Sequence, residues 1–196
     1  MMLFVLTVAR WLSLSQLVFK PFQHCYIMEL FTDVALLSKS PPSDTALTEA
    51  EEANEKTCSI TDCKQLENKI VALFFSASWC PACQEFTPLL TQMYDELIRR
   101  NAPFEIVAVP FDRTKESCDR FFVQESGDWL TVQFDDSIIG TLKEKYCVNV
   151  IPKLIVLRPS GEVITPTGRK DVQDKGIIAF RSWLKSTNLS NSLSFL

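Results

Sequence analysis

The sequence predicts an α/β domain built on one mixed β-sheet with helices on both faces. An apolar run within residues 69–78 is too short for a free-standing helix and is typical of a strand covered on both faces, and the mostly apolar run at residues 104–112 predicts another buried strand. Helical patterns follow both runs, and a right-handed crossover would make these two strands parallel. Two β-rich segments within residues 153–165 flank the turn RPSG and predict an antiparallel hairpin beside them.

The first 27 residues form an apolar leader that is compatible with three interpretations. Arg10 and Lys20 interrupt it, and no acid occurs before Glu29. A membrane-spanning helix would hold Arg10 near its middle, at a cost of about 2.5–3.5 kcal/mol. The leader is therefore an extension ahead of a true start at Met28, a secretory signal or membrane anchor, or a mitochondrial transit peptide.

The predicted domain covers residues 28–187 and begins with short elements. Residues 28–39 predict a strand-like start, and residues 58–67 predict a short helical turn. Between them, residues 40–56 carry paired prolines and five acids against one lysine. This composition predicts a solvated acidic loop.

Amphipathic helices account for much of the remaining chain. The longest follows Cys83, because apolar residues recur there at helical spacing and the segment ends in two arginines, which suit a helix C-terminus. Shorter helices are predicted within residues 115–124 and 137–146. A closing helix is marked by four apolar residues: Ile177, Phe180, Trp183 and Leu184. The Ser- and Asn-rich residues 188–196 predict a disordered tail.

Composition excludes several classes of function. Of 196 residues 46% are hydrophobic, which suffices for a sizeable core, and the net charge of −4 without a basic block makes nucleic acid an unexpected partner. The one histidine, His24, lies in the leader, which argues against histidine catalysis and histidine metal sites. Seven cysteines, an odd and sparse set, are typical of a reduced cytoplasmic protein. A secretory or mitochondrial location, or contact with a membrane, is expected only if the leader acts as a targeting segment or anchor.

Cys80 and Cys83 lie in the stretch SWCPACQ, where a predicted central strand ends and a helix begins. Residues i and i+3 share a helix face, so the two sulfurs can reach bonding distance. The helix N-terminus favours a thiolate at Cys80, and Pro81 suits the first helical turn. This arrangement suits dithiol–disulfide exchange, in which Cys80 attacks a substrate disulfide and Cys83 resolves the mixed disulfide.

Two other interpretations of the cysteine pair compete with exchange chemistry. Free cysteines are often buried in a core, although packing explains the WCPAC pattern poorly. A zinc site could combine Cys58 and Cys63 with Cys80 and Cys83. Two features argue against it: four residues rather than two separate Cys58 from Cys63, and a buried strand lies between the two pairs. We therefore predict no metal. Cys118 and Cys147 fall on apolar helix faces and are expected in the core, as are Trp129 and Trp183.

The segments FFSASWCPACQEFTPLL, WLTVQF and YCVNVIPKLIVLRPSGEVIT resemble the thioredoxin superfamily, and within it the nucleoredoxin/tryparedoxin branch. The resemblance covers roughly residues 28–187 and implies a thioredoxin-like fold. It implies that Cys80 is the nucleophile and Cys83 the resolving cysteine. The resemblance identifies Trp79 as the aromatic residue that flanks the dithiol and Pro88 as the proline that bends the helix. It identifies Ile151 and Pro152 as the cis-proline loop, which receives substrate main chain. We expect Trp79, Pro81, Ile151 and Pro152 to contact substrate.

The resemblance implies a monomeric thiol–disulfide oxidoreductase that acts on protein disulfides, uses a thiol electron donor and needs no cofactor. One departure concerns proton transfer. Ordinary thioredoxins carry a buried carboxylate six residues before the first cysteine, and here that position is Phe74, so Glu85 or water would have to serve. The alternative is a redox-modulated binding or trophic signalling protein with little turnover, since the family includes members with a degraded CxxC that support sensory neurons and photoreceptors.

Overall fold

A computed structural model of the chain describes residues 27–39 and 58–187. The predicted leader up to residue 26, the acidic loop at residues 40–56 and the tail at residues 188–196 lie outside those ranges. No helix within the described ranges is both long and apolar enough to cross a bilayer.

The described residues form one mixed sheet, which confirms the predicted fold class. Its strand order is β2-β1-β5-β4-β3-β6-β7. The seven strands in these ranges are β1 Leu36–Lys39, β2 Cys58–Thr61, β3 Ile70–Ser76, β4 Phe104–Pro110, β5 Leu130–Val132, β6 Lys153–Leu157 and β7 Val163–Thr165. Strands β3 and β4 are parallel, as the crossover argument predicts. The hairpin strands β6 and β7 are antiparallel to each other, and β6 is antiparallel to β3.

Strand β3 is the centre of the core because it is covered on both faces, and every one of its residues is buried. Successive side chains of a strand point to opposite faces. Ala72 and Phe74 therefore join one apolar cluster, whereas Leu73 and Phe75 join the other. This two-sided burial explains why the β3 sequence, IVALFFS, shows no alternation of polar and apolar residues.

Helices cover both faces of the sheet. The helices are α1 Pro81–Arg99, α2 Lys115–Arg120, α3 Ser137–Lys145, α4 Gly168–Lys175 and α5 Ile178–Lys185. Side chains of α1, α4 and α5 pack into one cluster with Trp129 and Trp183, which are both buried as predicted. Leu142 of α3 packs into the opposite cluster, together with the 3-10 turn Ile27–Phe31.

Three short elements differ from the sequence prediction. Residues 58–61 form strand β2 at the edge of the sheet, paired antiparallel with β1, and only Cys63–Leu66 forms the expected helical turn. Strand β5 was not predicted, because three residues are too few to show a period. Helix α4 was not predicted either, because its sequence GRKDVQDK buries only Gly168 and Val172.

The expected burial of Cys147 is wrong, whereas that of Cys118 is confirmed. Helix α3 ends at Lys145, so Cys147 leaves the helical register and takes a φ of 50°. Its side chain is exposed as a result. Cys118 is 5% exposed on the inner side of α2.

Candidate active site

The dithiol lies at the junction between β3 and α1, as the sequence predicts. Cys80 is the N-cap residue of α1, and Pro81 is the first helical residue. The carbonyl oxygen of Cys80 accepts hydrogen bonds from the backbone N–H groups of Cys83 and Gln84, at 3.0 and 3.1 Å. Cys83 is therefore one turn inside the helix, and its side chain packs in one small cluster with those of Cys80 and Ala77. Anionic groups are stabilised at such a helix terminus.

The loop that leads into Cys80 is held by a carboxylate from the neighbouring strand. Asp112, just after β4, accepts a 2.9 Å hydrogen bond from the backbone N–H of Ser78 and a 2.6 Å bond from its hydroxyl, both at Oδ1. On the helix side, the amide nitrogen of Gln84 donates to the Ser78 carbonyl at 2.7 Å. Ser78 is thus bound from two elements, which fixes the start of α1 relative to β4.

Trp79 is the most exposed aromatic residue beside the dithiol, with 51% of its surface accessible. Its indole Nε1–H donates to the carbonyl oxygen of Phe111 at 3.2 Å. The guanidinium carbon of Arg113 lies 5.3 Å from the centre of the indole ring, which is a cation–π geometry. Trp79 therefore presents a fixed apolar surface to solvent next to Cys80.

The loop between α3 and β6 contacts the dithiol from the other side. The Ile151–Pro152 peptide bond is cis. The Cys80 thiol donates to the Ile151 carbonyl oxygen at 3.9 Å, and Ile151 packs against Cys80, Cys83 and Ala77. The structure thus brings Trp79, Pro81 and Ile151 to the dithiol, whereas Pro152, the next residue of the loop, is buried.

The two cysteines differ in exposure and in acid–base behaviour. Cys80 is 7% exposed and Cys83 is completely buried. Burial, and next the hydrogen bond with Cys80, raises the pKa of the Cys83 thiol to about 12, and the positive charge of Arg169 acts in the opposite direction. Phe74 is buried, and its ring meets that of Phe86 edge-on at 5.8 Å, so this position holds an aromatic contact instead of a carboxylate. Glu85, considered above for proton transfer, is exposed on α1.

A groove with a volume of about 670 Å³ opens beside Trp79. It runs between the end of β4 and the start of α3. Residues that line it include Pro110, Phe111, Asp112, Arg113, Asp136 and Lys143. The groove offers apolar and charged groups within reach of an extended chain that contacts the dithiol.

The four cysteines of the considered zinc site do not converge. Cys58 packs against the cluster on the α1 face of the sheet, and Cys63 packs against the cluster on the opposite face. Within the described ranges, no group of three or more His, Cys, Asp or Glu side chains is arranged to hold a metal ion. This separation removes the spacing argument for zinc.

Three residues near the dithiol were not identified from the sequence. Asp112 could have been found from its position directly after a parallel strand, since polar residues at the carboxyl ends of such strands often belong to a site. Arg113 could have been found in the same way. No local signal distinguishes Arg169 from the other cations of the chain, because it reaches the dithiol helix only through tertiary packing.

The mixed sheet, the dithiol at a helix N-terminus and the adjacent cis-proline loop define a protein of the thioredoxin-like fold. A family model described as Thioredoxin-like matches residues 68–163. Human nucleoredoxin-like protein 1 is 31% identical over 165 residues, which span 82% of this chain and 73% of that protein. Nucleoredoxin of Xenopus laevis is 40% identical over 108 residues, which span 55% of this chain and 26% of that protein. The solved structure of tryparedoxin from Trypanosoma brucei is 29% identical and has a TM-score of 0.61, covering 76% of this chain and 91% of that one.

The chain therefore belongs to the thioredoxin superfamily, in its nucleoredoxin/tryparedoxin branch. This is a family of thiol–disulfide oxidoreductases.

Proposed function

We propose that this protein reduces or exchanges disulfides of protein substrates through Cys80 and Cys83. The observation that supports the proposal is the position of the two thiols, one at the N-cap of α1 and the other one turn inside the helix. Cys80 keeps some exposure, whereas Cys83 has none. A substrate can therefore reach only the first sulfur, and the second is placed to displace it.

The proposed reaction has two steps. In the first, the Cys80 thiolate attacks one sulfur of a substrate disulfide; a Cys80–substrate disulfide forms, and the other substrate sulfur leaves as a thiolate. In the second, Cys83 loses its proton to solvent and attacks the Cys80 sulfur. The Cys80–Cys83 disulfide forms, and the remaining substrate sulfur leaves as a thiolate. The dithiol is oxidised and the substrate disulfide is reduced, and a thiol electron donor restores the dithiol.

Substrate is proposed to bind along the surface that surrounds Cys80. Trp79 and Pro81 are exposed on one side, and Ile151 and Pro152 belong to the loop on the other. Val150, 73% exposed, extends the apolar surface next to Ile151. An extended substrate chain could lie across the cis-proline loop and continue into the groove beside Trp79.

Trapping of the mixed disulfide tests this proposal. In Cys83→Ser protein the second step cannot occur, so a disulfide-linked adduct with insulin should accumulate and be visible on non-reducing gels. In Cys80→Ser protein no such adduct should form, and insulin reduction should be lost in both variants. If Cys83→Ser protein formed no adduct that depends on Cys80, the proposed function would be wrong.

A redox-modulated binding function is the second candidate, and the complete burial of Cys83 is the observation that favours it. Because burial raises the pKa of this thiol to about 12, little of it is ionised at neutral pH, and a mixed disulfide at Cys80 would be long-lived. Such a protein would hold a partner and turn over slowly. This candidate requires partner capture to differ between oxidised, reduced and Cys80→Ser protein; equal capture by all three would reject it.

We further propose that the protein works as a monomer in the cytoplasm. The support is compositional, since seven sparse cysteines suit a reducing compartment better than an oxidising one. Light scattering of the purified full chain would measure its mass against the 22.3 kDa of one chain. Fractionation of cells that express the full chain would reveal a secretory or mitochondrial location if the leader directs it there.

A further inference from the structure

Arg169 lies under the dithiol helix, although it is far from the dithiol in sequence. It is the second residue of α4, and α4 packs against α1. Its guanidinium carbon lies 6.0 Å from the ring centre of Phe86. Phe86 is three residues after Cys83, so both side chains occupy the buried face of α1. The cation is therefore held against the buried face of α1, the face that also carries Cys83.

Arg169 is half-buried, and among the described residues no carboxylate is paired with it. Its Nε atom is buried, and no described residue accepts a hydrogen bond from it. Asp171, the nearest acid along α4, pairs with Lys175 at 3.1 Å and accepts the Trp183 indole N–H at 3.4 Å. A partly buried cation without a charged partner is stabilised when a negative charge forms nearby.

The other charged groups on elements packed against α1 are directed elsewhere. Glu105 of β4 is paired with Lys69 at 3.0 Å and accepts the Tyr94 hydroxyl at 2.8 Å, near the opposite end of the sheet. The remaining charged groups on α4 and on the short π-helix Phe121–Glu125, which follows α2, are exposed at the surface: Lys170, Asp174, Lys175 and Glu125. On α1 itself, Glu85 is exposed as well. Arg169 is thus the cation best placed to act on Cys83.

We propose that Arg169 is a positioning residue for the resolving step, and that its guanidinium stabilises the negative charge that forms on the Cys83 sulfur. The inference rests on the proposed function. The proton of Cys83 passes to a solvent base, the thiolate that remains is stabilised by the cation, and this thiolate attacks Cys80 as described above. The arrangement also accounts for Phe74: where ordinary thioredoxins use a carboxylate to remove the proton, this chain stabilises the product of proton loss.

The electrostatic contributions agree with this geometry. Burial is the largest influence and raises the pKa of Cys83, whereas a hydrogen bond with the Ala77 backbone and, to a smaller extent, the Arg169 charge lower it. Without the cation, less of the thiol would be ionised at any given pH. For every tenfold loss of thiolate, the more basic sulfur becomes roughly threefold more nucleophilic, so the net rate falls by about three- to fourfold. We take one tenfold change of thiolate as the scale of the effect and expect neutralisation of Arg169 to slow resolution on the order of threefold at neutral pH.

Single-turnover kinetics with the full-length reduced chain separate the two steps. One equivalent of the aromatic disulfide DTNB is added, the reaction is quenched in acid, and mass spectrometry of peptides follows the Cys80–thionitrobenzoate adduct and the Cys80–Cys83 disulfide. We compare wild type with Arg169→Met, with the charge-conserving Arg169→Lys and with Lys170→Met, which removes an exposed cation from the same helix. Rates are measured from pH 6 to 9, and circular dichroism checks that each variant is folded.

The charge hypothesis makes distinct predictions for each arm. Arg169→Met should form the adduct at the wild-type rate and resolve it more slowly at every pH, with its pH profile displaced to higher pH. Arg169→Lys should restore most of the resolution rate, and Lys170→Met should match wild type. Equal resolution by Arg169→Met and wild type, or equal defects in the Met and Lys variants, would overturn the inference.

Two further outcomes keep the test decisive. If Arg169→Met does not fold, Arg169→Gln takes its place, and the charge hypothesis still requires the Lys variant to resolve faster. If wild-type protein forms no adduct at Cys80, the proposed function fails. If the adduct forms and its resolution rate does not depend on the charge at position 169, the role proposed for Arg169 fails and the proposed function stands.

Discussion

Asp112 anchors the loop that carries Cys80, and removal of its carboxylate should loosen that loop. Asp112→Ala deletes the acceptor of two hydrogen bonds from Ser78, at 2.9 and 2.6 Å. Bonds to a charged acceptor contribute about 1.5–3 kcal/mol each, and the lower value applies here because the loop is half-exposed, so the loss is about 3 kcal/mol. Since 1.4 kcal/mol corresponds to a factor of ten, the Ser78 amide should exchange with solvent on the order of 100-fold faster.

Native-state hydrogen exchange followed by NMR measures this change at a single amide. Asp112→Asn keeps an oxygen acceptor without the charge and should give a smaller acceleration, on the order of fivefold. Asp119→Ala is the matched control, because Asp119 pairs with Lys115 on α2. A Ser78 amide that exchanged at the wild-type rate in Asp112→Ala protein would refute this account of the loop.

Two other perturbations test buried thiols and a close helix contact. Burial raises the pKa values of Cys83 and Cys118 to about 12, so the folded state keeps protons that the unfolded state loses above about pH 8.5. The free energy of unfolding should therefore fall as the pH rises from about 8.5 towards 10, by about 1.4 kcal/mol per pH unit for each thiol. Urea titrations at several pH values measure this fall, and in Cys118→Ala protein it should be smaller by the share of one thiol. At Gly168 an added Cβ would lie 2.9 Å from a methyl carbon of Val156, so Gly168→Ala should lower the free energy of unfolding by about 1–3 kcal/mol. Gly140 has open space where a Cβ would lie, so Gly140→Ala should be neutral or stabilising in the same titration. Equal effects of the two substitutions would contradict the packing argument.

The central part of the fold can be predicted from the sequence because its buried residues form recognisable local patterns. A strand covered on both faces needs an unbroken apolar run, and β3 has one. A long surface helix needs an apolar stripe, and α1 has one. The missed elements lack any such pattern. Strand β5 is three residues long, and α4 is mostly charged, so only their tertiary partners identify them.

The same reasoning explains which parts of the site could be predicted. Cys80 and Cys83 are adjacent on one helix turn, so their spacing reveals their relation without knowledge of the fold. Asp112 and Arg169 reach the site from another strand and another helix. Their contributions depend on distances that the sequence does not contain: 2.6 Å from Asp112 to the Ser78 hydroxyl, and 6.0 Å from the Arg169 guanidinium to the ring of Phe86.

The burial of Cys83 explains both the order of the proposed reaction and the need for Arg169. A sulfur with no exposed surface cannot attack a protein disulfide, so the substrate must react first with Cys80. The same burial disfavours the Cys83 thiolate, because a charge in an apolar environment loses its hydration. A deeply buried resolving cysteine without a compensating cation would leave the substrate attached. A selective first attack requires Cys83 to be buried, whereas a fast second attack requires its thiolate to be stable. The proposed role of Arg169 is to favour the thiolate while the sulfur stays buried.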